Sequence, residues 1–142
     1  MTWVLSKIRL IMLVSGMLTA TMIYAAIAPA AALQSMFGET LTGPLAQIIV
    51  RNWGALIALS GAMLVYGSSN PPVRPLVLTL AGISKAVFVA LVLSQGERYL
   101  TPQALIAVVG DSIMIVLFAW YLLASRSATT ATKPSLSRVT SV

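Results

Sequence analysis

Four apolar blocks of about twenty residues each, at about 8–28, 44–66, 75–94 and 102–124, confine this chain to a narrow set of folds. A helix rises about 1.5 Å per residue, so roughly twenty apolar residues cross the hydrocarbon of a bilayer. Composition points the same way. The 142 residues are 58% hydrophobic and 8% charged, with mean hydropathy +0.94, whereas a soluble domain carries about a quarter charged residues. The expected fold is all-α, a transmembrane four-helix bundle over residues 1–124. From Ser125 the chain turns basic and rich in Ser and Thr, which predicts a disordered cytoplasmic tail over 125–142.

Local signals set the boundaries. Trp3, Lys7 and Arg9 precede the first block, and Ala26-Ile27-Ala28 imitates a signal-peptide cleavage site. The long apolar run from Leu10 to Ala28 and the proline at position 29 argue for retention of this helix. Leu33, Met36 and Phe37 are spaced for a short interfacial turn, and Thr42-Gly43-Pro44 opens the second helix, since a first-turn proline lacks only an N–H that would go unbonded. Gly67 to Pro72 reads as a tight turn, and Thr101-Pro102 as N-cap and first-turn proline of the fourth helix.

Four crossings put both termini on one side. Lys7, Arg9, Arg74, Arg126, Lys133 and Arg138 fall there, against Arg98 with Glu39 and Glu97 on the other. The positive-inside rule makes the termini cytoplasmic. The interfacial aromatics fit, with Trp3, Tyr66, Trp120 and Tyr121 inside and Tyr24, Phe37 and Tyr99 outside.

The chain has no Cys and no His, which removes disulfides, thiolate nucleophiles, His bases, and haem or zinc held through those residues. Three acids among 142 residues are too few for a carboxylate metal cluster, so neither cofactor nor metal is expected. The net charge of +6 follows topology, and nucleic acid is not an expected partner.

Charges inside the spans carry the functional question. Arg51 and Asn52 lie in the second span, Lys85 in the third and Asp111 in the fourth. Helix rise places Arg51 about 10 Å, Asp111 about 13 Å and Lys85 about 15 Å below the outer helix ends. At 100° per residue Arg51 shares a face with Gly54, Ala55, Ala58 and Ala62, and the ladder Gly54–Ala58–Ala62 predicts close helix approach. Lys85 shares its face with Ala81 and Gly82, and Asp111 with Ala104 and Ala107. Each unpaired charge near mid-bilayer costs about 2.5–3.5 kcal/mol, so Arg51, Lys85 and Asp111 are expected to converge. One cation is then left over, to be met by deprotonation, water or a bound anion. Such a cluster serves either helix registration or a ligand or proton path. Ser84 diverges from Lys85 by about 100° and forms no dyad with it, while Ser60 or Ser112 meeting Lys85 across helices stays open. Thr19, Thr21 and Tyr24 are candidates to line an outer half-cavity.

Size, four short-looped spans, and Arg51-Asn52-Trp53-Gly54 at the start of a Gly- and Ala-rich second helix resemble the small bacterial four-helix membrane proteins of the DoxX-like type. The resemblance covers residues 8–124 and implies a multi-pass protein of the bacterial inner membrane, in a group with some partners of redox or thiosulfate-linked enzymes. Without Cys or His no redox site carries over. Small multidrug-resistance transporters place an essential carboxylate in the first helix, where Leu10–Ala28 has no acid. The expected function is a non-enzymatic accessory or oligomeric subunit held together by the Arg/Lys/Asp cluster. The alternatives are a carrier or sensor of an amphipathic or anionic ligand bound there and, third, a lipid-modifying enzyme. Expected partners are the bilayer, a homo-oligomer or larger membrane complex, and an anionic lipid or small ligand.

Overall fold

A computed structural model describes residues 2–131, and every described element is helical. The helices are α1 (Thr2–Ala20), α2 (Ile23–Ile27), α3 (Pro29–Phe37), α4 (Pro44–Ser69), α5 (Arg74–Ser94) and α6 (Pro102–Ala131). Short 3-10 turns cover Pro71–Val73 and Gly96–Tyr99. Four stretches are long and apolar enough to cross a membrane: Val4–Ile27, Pro44–Ser69, Pro71–Ser94 and Pro102–Ser127. The four expected spans therefore find their helices, with the first divided between α1 and α2.

The first span packs on α4, α4 on α5, α5 on α6, and α6 returns to α1, which closes a four-helix ring. Its exterior is apolar. Leu18, Ile48, Leu59, Leu91, Ile106 and Leu123 are each more than half exposed, far more apolar surface than a water-soluble monomer presents. The interior of the half nearer the termini is filled by Ile8, Met12, Leu64, Val77, Leu78, Ala81 and Phe118.

The tightest seam is glycine-made, but not along the expected ladder. A Cβ on Gly61 would stand 2.5 Å from the Ala20 nitrogen and 2.7 Å from the Gly16 oxygen, and one on Gly54 2.6 Å from the Ala26 nitrogen. These are backbone atoms, so the two helices touch main chain to main chain. Gly54 is buried as predicted, whereas Ala58 is half-buried and Ala62 exposed, and the seam continues through Gly61, Leu64 and Ser68. A spacing of four drifts about 40° per step around a helix of 3.6 residues per turn. Alternating steps of three and four hold one face against a neighbour, and Gly54 to Gly61 is such a heptad.

The first crossing breaks at Thr21-Met22. The amides of Thr21, Met22, Tyr24 and Ala25 each bond a carbonyl three residues back rather than four, and the Thr21 hydroxyl donates to the Leu18 carbonyl at 2.6 Å. No glycine or proline stands there. A threonine hydroxyl bonding its own helix is a known cause of such distortions. At Pro29, which lacks the N–H to continue α2, the chain turns into α3. The expected interfacial turn is thus a nine-residue helix, ended by Gly38 at φ 74°.

Thr101 caps α6 as anticipated. Its hydroxyl accepts from the Ala104 amide at 3.2 Å and donates to the Met36 carbonyl, tying the end of α3 to α6. At the opposite end Arg74 donates to the carbonyls of Gly67 (3.1 Å) and Ser68 (2.7 Å), satisfying the terminal acceptors of α4. α6 runs to Ala131, so residues 125–131, assigned above to a disordered tail, are helical. Expectations for 132–142, with Lys133 and Arg138, fall outside the described residues.

Candidate functional site

The interior charges resolve into a pair and a remainder. Lys85 on α5 is buried, and its Nζ donates to Asp111 Oδ1 on α6 and to Thr19 Oγ1 on α1 at 3.2 Å. Three helices are thereby joined by one ammonium, at the level where α1 approaches its break. The Asp111 side chain retains 21% exposure against 10% for Lys85, so the carboxylate reaches the edge of the bundle while the ammonium stays inside. Ion and counter-ion together are neutral. Pairing of this kind offsets the desolvation of each partner and fixes helix register.

Arg51 does not join them. Its Nη1 donates to the Ala26 carbonyl at 2.8 Å, and its side chain is exposed. Among the described residues that is its one hydrogen bond and no acid faces it. The three-charge cluster expected from the sequence is therefore corrected to the Lys85–Asp111 pair with Thr19. The physical reason is the helix break: α2 ends at Ile27, which frees the Ala26 carbonyl as a nearer acceptor. Asn52 is exposed on α4 and takes no part. Ser84 is exposed, and Ser112 donates to the Val108 carbonyl at 2.7 Å, so neither serine engages Lys85.

Cavities lie elsewhere, at the end of the bundle carrying α3. There α3 and the following chain cross over the first turns of α4 like a strap. On one flank is a cavity of about 390 Å³ between α3, α4 and α5, walled by Leu33, Phe37, Val50, Trp53, Phe88 and Val92. Phe37 anchors it, with ring centroids 6.3 Å from Trp53 and 6.1 Å, edge-on, from Tyr99. Trp53 thus faces α3, on the side of α4 away from Arg51, as helix geometry requires. On the other flank a second cavity of about 340 Å³ is bounded by Ala28, Ala31, Ala46, Gln47 and Arg51. Leu33, Leu41 and Val50 line both, so the two spaces lie on either side of a shared wall beneath the strap.

The rim of the larger cavity is polar. Glu39 receives Arg98 Nη2 at 3.2 Å and the Tyr99 hydroxyl at 3.5 Å, and the Arg98 guanidinium lies 5.2 Å from the Tyr99 ring centre. The hydrogen bond and charge of Glu39 raise the Arg98 pKa further, so this cation persists at all ordinary pH. Both side chains are largely exposed, and the pair links the strap to the α5–α6 connection without contributing much to stability.

Sequence reasoning brings Lys85 and Asp111 together but assigns Thr19 to an outer half-cavity with Thr21 and Tyr24, whereas the Thr19 hydroxyl accepts from Lys85. It missed the Gly61 seam, whose signal was the seven-residue spacing from Gly54. The cavity was also missed: Phe37, Trp53 and Phe88 are apolar residues in apolar surroundings and carry no mark of the space between them. No protein-family model matches the chain, and no curated protein or solved structure matches it.

Proposed function

We propose that this chain is a non-enzymatic, multi-pass protein of the bacterial inner membrane that takes the hydrocarbon chain of an amphipathic ligand into the cavity between α3, α4 and α5. Its termini are cytoplasmic, so the cavity lies in the outer leaflet. The observation that carries the reading is the cavity itself, apolar and aromatic inside with a polar rim at Glu39, the arrangement expected of a small-molecule site. Two of its wall residues, Ile49 and Leu91, are more than half exposed, which leaves a path from the surrounding lipid. The Lys85–Asp111 pair, neutral and engaged on three helices, supports an architectural role for the interior charges rather than a catalytic one. Kinship with the DoxX-like proteins belongs to the same proposal, on the four spans and Arg51-Asn52-Trp53-Gly54.

A stearyl alcohol carrying a mid-chain diazirine, photolysed at trace level in bilayers holding the protein, tests this. Adducts are expected on Phe37, Trp53 and Phe88. Adducts spread evenly over outward residues such as Leu18 and Ile106 contradict it.

A further inference from the structure

We infer that the smaller cavity beside Arg51 binds the carboxylate of a long-chain fatty acid whose tail lies in the larger one. The inference rests on the chain-binding reading above and adds the chemistry of the head group.

Three observations lead to it. The first is charge. Of the three acids, Asp111 is taken by Lys85 and Glu39 by Arg98, and Glu97 on the α5–α6 connection forms no ion pair with Arg51, so among the described residues Arg51 has no anion although it stands within an apolar span. A cation is costly there and is ordinarily matched. The second is geometry. With Nη1 spent on the Ala26 carbonyl, the Nε–Nη2 edge of the guanidinium stays open, and that planar fork matches the two oxygens of a carboxylate. The third is adjacency. Arg51 and Gln47 line one cavity, Trp53 and Phe88 the other, and Leu33, Leu41 and Val50 form the wall common to both. A tail whose head sits at Arg51 needs only to pass these three aliphatic side chains to enter the larger space.

One free guanidinium edge and one chain-sized cavity call for one negative charge and one chain. The structural role of Arg51 is not displaced, since its bond to Ala26 closes the end of α2 and fixes the guanidinium where the carboxylate would meet it.

The test compares stearate and stearyl alcohol brominated at mid-chain, by quenching of Trp53 in protein carrying Trp3→Phe and Trp120→Phe, in bilayers at alkaline pH. The acid is expected to bind about tenfold or more tightly than the alcohol, the range for a charge-assisted hydrogen bond. Arg51→Gln should remove that preference while alcohol binding persists. Gln47→Glu, which keeps Arg51 and the fold but sets a carboxylate beside it, should remove it too. Equal affinity for acid and alcohol in the parent protein, or a preference surviving both variants, overturns the inference and leaves chain binding standing. Failure of the alcohol to bind at all sinks the proposed function instead. A brominated lysophospholipid that matches the acid overturns the carboxylate assignment in favour of phosphate.

Discussion

Replacing Asp111 by Asn leaves the Lys85 ammonium, whose side chain is only 10% exposed, without a counter-charge, with only the neutral amide oxygen at position 111 and the Thr19 hydroxyl to accept from it. Removing one member of a buried pair costs about 3–5 kcal/mol, and a lone lysine at mid-bilayer about 2.5–3.5 kcal/mol on insertion scales. The amide oxygen that stays at position 111 offsets some of the cost, and about 3 kcal/mol is expected for Asp111→Asn. Lys85→Met leaves the more accessible carboxylate behind and should cost about 2 kcal/mol. The double variant Lys85→Met/Asp111→Leu carries no charge and should lose no more than about 1 kcal/mol, since apolar replacement of a buried pair is often neutral. The expected coupling is about 4 kcal/mol. Reversible unfolding by detergent titration in mixed micelles measures all three variants, and exchanging the charges (Lys85→Asp with Asp111→Lys) should recover much of the loss. Additivity of the single substitutions to within about 0.5 kcal/mol would refute the pairing.

Gly61→Ala drives a methyl into the backbone of Ala20 and Gly16 and should destabilise the bundle by about 1–3 kcal/mol. Gly110→Ala, with nothing within 4 Å, should be neutral or stabilising by up to about 1 kcal/mol; the same titration reads both, and equal effects would show that the α1–α4 seam is looser than described. Arg74→Ala removes two hydrogen bonds from the last carbonyls of α4 and should cost about 1.5–3 kcal/mol, with faster amide exchange confined to residues near Gly67–Val73. Unchanged exchange there would assign those carbonyls other donors.

How much of this was legible depends on which forces decide each feature. The spans were legible because apolar length alone fixes them, and Thr101-Pro102 marked the start of α6 through a cap that needs no tertiary partner. Lys85 and Asp111 were legible because their cost forces a meeting. Arg51 was not, because its acceptor is the Ala26 carbonyl, freed where α2 ends before Pro29; the proline marks the end of the helix but not which side chain comes to that carbonyl. The seam through Gly61 needed the choice between a four-residue and a seven-residue spacing, which the direction of helix crossing makes and the sequence does not state. The cavity depends on where α3 comes to rest against α4. Phe37 contacts Trp53 and Tyr99, residues far from it in the chain, and no local pattern encodes that.

Whether a chain enters the bundle is answered most directly by titrating mid-chain-brominated stearyl alcohol against Trp53, with Trp3 and Trp120 replaced by Phe. Saturable quenching at low mole fraction is predicted, abolished by Val92→Phe, which fills the cavity from its buried wall. Quenching that rises in proportion to the alcohol and ignores the Val92 substitution would mean that Trp53 meets only bulk lipid, and the account would fail.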